Sequence, residues 1–278
     1  MWHLCLSEIT MKITPLLNLT TLNYQTKNKI KDNKSTIFLG QIDKDVFIPS
    51  KPKSKSLYDY FKNNNLVVRQ VSDNIYAGET LATKPESVFE ELSYSGIETI
   101  IDLRSLEEDT FEYKEKCAAN GIEYVSVPLT KVLDDRKDGI FDYQKGTVRD
   151  DFVNDLATLL KYTRKGNLYL GCQYGVDRTN FALCCDYIFN YDLEHTPPVI
   201  YPTNYAKRNT IKNKNLDLIR KIIKKLTPEQ REKLHLPDNF EETILKKRIK
   251  DIIDINRQSF PMDIFKLIRK NTGHSIMK

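Results

Sequence analysis

The sequence lacks the features that identify membrane-spanning, metal-binding and nucleotide-binding proteins. None of its apolar runs approaches the roughly 18 residues that a membrane-spanning helix needs, and Met11–Leu22 is a poor secretory signal because proline and threonines interrupt it. Its four histidines are scattered and its five cysteines have no metal-ligand spacing. It contains neither a G-x-G-x-x-G nor a Walker-type loop. We therefore predict a chain without a transmembrane segment, a bound metal or another cofactor.

The residues that are present are typical of a globular protein. The chain has 278 residues, of which 40% are hydrophobic and 29% charged, enough for one domain of ordinary size plus additions. The few, mostly well-separated cysteines indicate free thiols in a reducing compartment, and we predict a cytoplasmic location. The net charge of +5 is too small to argue for nucleic-acid binding, and aromatic and basic residues do not alternate as stacked bases require.

Composition and periodicity divide the chain into three segments. Residues 1–70 are rich in lysine, asparagine and threonine, and we predict a partly flexible extension. Residues 71–200 are predicted to form the core, and residues 201–278 a helical region packed on it. Eight basic residues against one acidic residue lie between positions 203 and 225. This basic stretch can attract a phosphorylated substrate or an anionic membrane surface, or it can be a solvated helix face.

The most informative stretch combines a cysteine, an arginine and their flanking elements. Cys172 is followed by five residues and then by Arg178 and Thr179. The apolar run Asn167–Gly171 before it predicts a strand, and Thr179–Tyr191 after it predicts a largely buried helix. The connecting loop therefore lies at a helix N-terminus, where free backbone N–H groups and the helix dipole favour an anion and a thiolate.

The residue types inside this loop fit a phosphate group. Arg178 has a planar fork of donors that matches two phosphate oxygens. Gly175 permits a positive φ, so that successive amides can point inward. The predicted phosphate-binding residues are Gln173, Tyr174, Gly175, Val176, Asp177, Arg178 and Thr179. Cys172 in the floor of this loop is the predicted nucleophile, whereas Cys184 and Cys185 on the following helix are interpreted as core residues.

The loop Cys172–Thr179 resembles the signature loop of the cysteine-dependent protein tyrosine phosphatase superfamily, in particular its dual-specificity-like members. The strand pattern Asn74–Gly78 and the Asp-Leu-Arg turn at residues 102–104 extend the resemblance, which covers about residues 70–195. It implies an α/β fold with a central, mostly parallel sheet flanked by helices, followed here by the helical C-terminal region. The site is then expected at the carboxyl end of the Asn167–Gly171 strand.

The resemblance also implies a role for each residue that matches the family's motif. The family's cysteine attacks phosphorus, its arginine binds the phosphoryl group, and the hydroxyl residue helps the thiolate to leave. These roles fall on Cys172, Arg178 and Thr179.

Two positions depart from the family's pattern. The family usually has histidine directly before the cysteine, where it helps to hold the loop and to activate the thiol, and this chain has Gly171. This departure leaves open a weak enzyme or a non-catalytic, phosphate-binding pseudophosphatase. Asn180 stands where the family commonly has glycine, and we interpret this as a packing difference.

The general acid is the least defined member of the mechanism. In most of the family it lies on a mobile loop about 30–40 residues before the cysteine. Four aspartates occupy that window: Asp134, Asp135, Asp138 and Asp142. Asp135 and Asp138 are the first candidates among them, and the alternative for each of the four aspartates is a solvated turn residue. Asp177 competes with them, because phosphoinositide-directed branches of the superfamily use an aspartate directly before the loop arginine; alternatively it orients Arg178 or caps the helix.

The predicted function is therefore a metal-independent phosphomonoester hydrolase that acts through a phosphocysteine intermediate. The first substrate class is phosphoprotein, with phosphotyrosine or dual specificity, and the alternative is phosphoinositide. An RNA 5′-triphosphatase is a third possibility, because some relatives share the loop pattern. The unusual flanks are similar to those of phosphatase effectors that bacteria deliver into host cells, a route that needs no cleaved signal peptide.

Overall fold

The computed structural model describes residues 56–104, 110–129, 139–202 and 208–257, together with residues 266, 268 and 270. Its strands are β1 (Val68–Ser72), β2 (Ile75–Glu79), β3 (Thr99–Asp102), β4 (Glu123–Ser126), β5 (Phe141–Asp142), β6 (Thr147–Val148) and β7 (Leu168–Cys172). Its helices are α1 (Leu57–Asn63), α2 (Glu86–Tyr94), α3 (Phe111–Ala119), α4 (Asp150–Lys165), α5 (Asp177–Phe189), α6 (Arg208–Lys225), α7 (Pro228–Lys233) and α8 (Lys246–Ile255). A π-helical turn, Phe240–Leu245, runs directly into α8.

Five strands form the central sheet in the order β1-β2-β7-β3-β4. Strands β2, β7, β3 and β4 are parallel to one another, and β1 is antiparallel to β2. The central strand β7 is buried along its whole length, as its apolar run predicts for a strand covered on both faces. The prediction of a mostly parallel sheet flanked by helices is confirmed.

Each face of the sheet packs on its own set of helices. Leu156 of α4 and Phe181 of α5 belong to the cluster that covers one face. Phe61 of α1, Phe89 of α2 and Tyr113 of α3 belong to the cluster on the other face. Because side chains alternate along a strand, successive residues of β7 contribute to the two clusters in turn. The sheet is thus held between two apolar layers, and its carboxyl edge is left for the loops.

The C-terminal region is helical, as predicted. Leu216, Ile219 and Ile223 are buried and join the same core cluster as α5. α7 begins with a capping box in which Thr227 and Gln230 satisfy each other's backbone N–H groups. No helix in the described part of the chain is long and apolar enough to cross a membrane.

The boundaries of the three predicted segments stay a prediction. α1 and most of β1 lie ahead of residue 71, where the sequence analysis puts the start of the core. β1 is the outer strand of the central sheet, paired with β2 from Val68 to Ser72. The compact part of the chain therefore includes residues that composition assigned to the N-terminal extension.

Candidate active site

The loop from Cys172 to Asp177 joins the carboxyl end of the central strand to the start of α5. Cys172 is the last residue of β7, in register with Glu79 at the end of β2. The Gly175 N–H donates to the Cys172 carbonyl at 3.3 Å, which closes a tight turn over the cysteine. The Cys172 side chain is 3% exposed. The loop therefore stands at the carboxyl edge of the sheet, the edge at which the sequence analysis expects the site.

Two independent features of position 175 require glycine. Its φ is +67°, in the left-handed region. A Cβ atom there would also lie 2.5 Å from the Glu79 nitrogen and 2.5 Å from the Gly78 carbonyl carbon. Only a residue without a side chain allows the loop to lie this close to β2.

The cysteine sulfur has a hydroxyl neighbour. Thr179 Oγ1 lies 3.1 Å from Cys172 Sγ and 3.3 Å from the Gly78 carbonyl oxygen. Thr179 is fully buried in the first turn of α5, so its hydroxyl has a fixed position. A hydroxyl group has one proton and donates to one of these two acceptors at a time. The geometry lets Thr179 donate to the sulfur, which stabilises a thiolate.

Arg178 and Asp177 occupy the first turn of α5. Arg178 is half-buried, and its Nη1 donates to the Leu103 carbonyl at 3.4 Å, at the carboxyl end of the neighbouring strand β3. Asp177 is exposed at the first position of the helix, where a carboxylate interacts favourably with the helix dipole. Of the other predicted phosphate contacts, Tyr174 is 49% exposed and Val176 is buried. The chain thus brings a thiol, a hydroxyl and a guanidinium to one loop.

The predicted lid aspartates differ in what the structure describes. Asp134, Asp135 and Asp138 lie outside the described residues, and their role stays a prediction. Asp142 lies in β5, and its carboxylate accepts hydrogen bonds from the backbone N–H groups of Gln144 and Lys145 at 3.0 and 3.1 Å. This is the geometry of an aspartate that closes a turn, the alternative given above for each aspartate of this window.

The space beside Gly171 is already occupied. A Cβ atom at this position would lie 3.0 Å from the Glu79 carbonyl oxygen, 3.1 Å from the Gly78 carbonyl oxygen and 3.1 Å from Cε1 of Tyr169. The Tyr169 hydroxyl donates to the Glu79 carbonyl at 2.5 Å, which fixes the ring in place. A side chain at position 171 would therefore have to displace Tyr169 or the end of β2, so glycine fits the packing at this position.

A buried arginine under the loop was missed by the sequence analysis. Arg69 of β1 is 5% exposed, and its Nη2 donates to the Gly175 carbonyl at 2.5 Å. Its Nη1 donates to Asn180 Oδ1 and to the Val199 carbonyl, each at 2.7 Å. The guanidinium also lies over the Tyr201 ring, 4.1 Å from its centroid. One feature of the sequence could have indicated it: Arg69 directly follows the apolar run Leu66-Val67-Val68. An arginine in a buried strand usually needs polar partners.

The Asp-Leu-Arg turn also forms a buried polar cluster beside the loop. Arg104 Nη2 and Asp102 Oδ2 lie 2.8 Å apart, and Arg104 Nε contacts both carboxylate oxygens. The Tyr124 hydroxyl donates to Asp102 Oδ2 at 2.8 Å. Burial, together with the charge of Asp102, raises the pKa of Tyr124. The cluster anchors the carboxyl end of β3, next to the Leu103 carbonyl that Arg178 contacts.

The remaining described cysteines are inert by their surroundings. Burial raises the pKa of Cys117 and of Cys184 to about 12, and it raises that of Cys185 well above its usual range. All three thiols are neutral at physiological pH, which agrees with the interpretation of Cys184 and Cys185 as core residues.

In the described part of the chain, no group of three or more histidine, cysteine or acidic side chains could hold a metal ion.

Comparisons with known proteins give a likeness of fold alone. No protein-family model and no curated protein matches this sequence. A DUF442 phosphatase of Shewanella putrefaciens CN-32 is 11% identical, with 58% of this chain and 95% of that chain covered and a TM-score of 0.40. The core catalytic domain of the S. cerevisiae PP-IP phosphatase SIW14 is 16% identical (69% and 93% covered, TM-score 0.33), and P. aeruginosa TpbA is 9% identical (68% and 92%, TM-score 0.34). Similarity this distant does not assign an activity.

Proposed function

We propose that this chain is a cysteine-dependent phosphomonoester hydrolase that works through a phosphocysteine intermediate and needs no metal ion. One observation carries the proposal. The Cys172 sulfur lies 3.1 Å from the Thr179 hydroxyl, in a loop that enters the N-terminus of α5 with Arg178 in the first turn. Nucleophile, anion-binding amides and a forked cation are the parts that phosphoryl transfer to a thiolate requires.

In the first step, the Cys172 thiolate attacks phosphorus and the bond to the leaving oxygen breaks. The three equatorial oxygens of the phosphoryl group gain negative charge in the transition state. The loop amides and Arg178 donate to those oxygens, and a carboxylic acid gives its proton to the leaving oxygen. Asp177, Asp135 and Asp138 are the candidates for this acid.

In the second step, water attacks the phosphocysteine, its proton goes to the carboxylate formed in the first step, and the sulfur–phosphorus bond breaks. The products are inorganic phosphate and the regenerated Cys172 thiolate. The Thr179 hydroxyl donates to the sulfur as it leaves, which lowers the barrier of this step in particular. Arg178 keeps the phosphoryl group oriented through both steps.

The substrate class that we propose is phosphoprotein, with phosphotyrosine or dual specificity, and the alternative is phosphoinositide. The basic residues of α6 bear on this choice. Lys221 and Lys225 lie over the Phe141 ring at 4.7 and 5.9 Å, and Lys225 also donates to the Gly146 carbonyl. Because these two lysines pack on the β5–β6 hairpin, we infer that they have a structural role and do not bind an anionic membrane. A panel of phosphopeptides, phosphoinositides and triphosphorylated RNA separates the classes.

We keep the prediction of a reducing, cytoplasmic location, in the cell that makes the protein or in a host cell that receives it. The described cysteines are Cys117, Cys172, Cys184 and Cys185, and all four are free. An oxidised Cys172 could not attack phosphorus, so the proposed mechanism requires that this thiol stay reduced.

The nucleophile is tested by Cys172→Ser with Cys184→Ala as the matched control, a second buried thiol on the adjoining helix. Turnover of p-nitrophenyl phosphate is expected to vanish in the first variant and to persist in the second. Acid quenching during turnover should trap phosphate on the tryptic peptide that contains Cys172. Turnover by Cys172→Ser at the wild-type rate would contradict the mechanism. Saturable binding of phosphopeptide by a wild-type chain that shows no turnover would instead identify the pseudophosphatase left open by Gly171.

A further inference from the structure

Arg69 occupies an unusual position for a charged side chain. It is buried on β1, and among the described residues no carboxylate lies within ion-pair distance of it. Burial lowers its pKa, and the ionisable groups that oppose this effect are Tyr201, Cys172, Cys184 and Tyr169. A buried charge without an ionic partner is costly to a fold. Of those four groups, Cys172 is the one that the proposed reaction uses as an anion.

One hydrogen bond of Arg69 reaches the main chain of the loop. Its Nη2 donates to the carbonyl of Gly175, the residue with a φ of +67° at the tightest point of the loop. That carbonyl and the N–H of Val176 belong to one planar trans peptide group, so they point in opposite directions. A guanidinium that holds the carbonyl on its own side therefore turns the Val176 N–H to the other side.

Arg69 is itself held from three sides. Its Nη1 donates to the Asn180 side chain and to the Val199 carbonyl, and its plane lies over the Tyr201 ring. Asn180 Oδ1 also accepts from the Tyr201 N–H at 3.1 Å, and Asn180 Nδ2 donates to the Tyr201 carbonyl at 3.0 Å. Asn180 therefore binds the segment around Tyr201 to α5. This contact also gives Asn180 a specific role at the position where the family commonly has glycine.

We propose that Arg69 is a positioning residue of the phosphate loop: from beneath, it fixes the Gly175–Val176 peptide so that the Val176 N–H faces the bound phosphoryl group. The proposal rests on the proposed function for the identity of the ligand. Arg69 thereby supplies the hold on the loop that a histidine at position 171 cannot supply, since Tyr169 and the end of β2 fill that space. Asn180 and Tyr201 orient the guanidinium and act through it.

Arg69→Met tests the role, because methionine keeps the apolar stem and removes every donor. We expect kcat/KM for p-nitrophenyl phosphate to fall about 10²-fold, the loss that a misplaced group of about 1 Å produces. The dissociation constant of vanadate is expected to rise by a comparable factor, since vanadate takes the geometry of the transferring phosphoryl group. A residue with a merely structural role would change stability and leave the vanadate affinity of the folded protein unchanged.

Arg248 of α8 offers a matched control, because it contacts residues near the carboxyl end of α5. It also donates to two backbone carbonyls, those of Tyr191 and Leu193, and lies over a tyrosine ring, that of Tyr187, at 4.4 Å. Arg248→Met removes the same kinds of contact away from the loop, and we expect kcat/KM and vanadate affinity within threefold of wild type. Protection of Cys117 and Cys184 from iodoacetamide verifies that each variant is folded.

Arg69→Lys keeps the proposal testable if Arg69→Met does not fold. Lysine retains the charge and loses the fork that reaches Gly175 and Asn180 together, so we expect a loss of about tenfold in kcat/KM and in vanadate affinity. Wild-type values in a folded Arg69→Met or Arg69→Lys overturn the proposal. If the wild-type chain binds vanadate but shows no turnover, only the proposed function is contradicted. The role of Arg69 is then tested by comparing the vanadate affinity of the variants with that of the wild type. A wild-type chain that binds no vanadate overturns both.

Discussion

A histidine at position 171, where the superfamily that the loop resembles usually has one, is expected to damage this protein. Gly171 lies on the central strand, and its hypothetical Cβ meets the carbonyl oxygens of Gly78 and Glu79 and the ring of Tyr169 at 3.0–3.1 Å. None of the three neighbours can move freely. The two carbonyls belong to β2, which is paired on both sides, and the Tyr169 ring is fully buried in the second core cluster.

The expected magnitude follows from these contacts. Overpacking at a rigid site costs about 1–3 kcal/mol, and about 0.5–1 kcal/mol is recovered because alanine has less backbone entropy to lose than glycine. We therefore expect Gly171→Ala to reduce the free energy of unfolding by about 1 kcal/mol. An imidazole must also displace the Tyr169 ring, which leaves a buried hydroxyl without its Glu79 acceptor at a further cost of about 1–3 kcal/mol.

Urea unfolding followed by circular dichroism measures both variants, and p-nitrophenyl phosphate turnover is recorded from pH 5 to 8. Gly121→Ala is the control, because its φ of +69° strains a side chain in open space, far from any crowding atom. It should lose about 1–2 kcal/mol of stability with turnover unchanged. If Gly171→His unfolds at the wild-type urea concentration and turns over faster below pH 7, the account of this position is wrong.

Two further predictions concern side chains next to the loop. Thr179→Val removes the hydroxyl 3.1 Å from the Cys172 sulfur; burst kinetics should show a first step that is slowed less than the second, a second step slowed about 10- to 100-fold, and accumulated phosphocysteine. Asp102→Asn takes the negative charge from the buried pair with Arg104 and should lower the free energy of unfolding by about 3–5 kcal/mol in urea titrations. A loss below about 1 kcal/mol would contradict the view that this pair is buried and dry.

The parts of this fold that the sequence predicts are those encoded by local pattern. β7 is a short apolar run followed by a helical pattern, and such a run indicates a strand covered on both faces, whereas β2 and β3 were expected from the resemblance. The loop was identified from residue types at fixed spacing. Cysteine, glycine, arginine and threonine each have a local physical reason to stand where they do, so no distant contact was needed to recognise them.

The parts that the sequence did not reveal depend on contacts between distant residues. The role proposed for Arg69 depends on its hydrogen bonds to Gly175, Asn180 and Val199, which lie more than a hundred positions further along the chain. The antiparallel strand that carries it shifts register between Gln70 and Ser72, and such an irregularity weakens an alternating pattern. The absence of histidine before the cysteine was visible in the sequence, but the aromatic ring that fills its place was not.

The candidates for the general acid also differ in whether local sequence fixes their position. We predict that Asp177 takes this role. It is the first residue of α5, exposed and directly before Arg178, so it needs no lid to reach the leaving oxygen. Asp177→Asn should lower turnover about 10²–10⁴-fold for a phenyl or alkyl phosphate. The loss should be much smaller for p-nitrophenyl phosphate, because nitrophenolate leaves without a proton.

A leaving-group series on four variants decides the assignment. Asp142→Asn is the control: it lies in the same acidic window as the lid aspartates, but its carboxylate closes the β5–β6 turn, so turnover should stay within threefold of wild type for every substrate. Asp135→Asn and Asp138→Asn should then show no dependence on the leaving group. An equal loss across all leaving groups in Asp177→Asn would mean that Asp177 orients Arg178 instead. Leaving-group dependence in Asp135→Asn or Asp138→Asn would assign the proton to the lid, because only the residue that protonates the leaving oxygen becomes dispensable when that oxygen needs no proton.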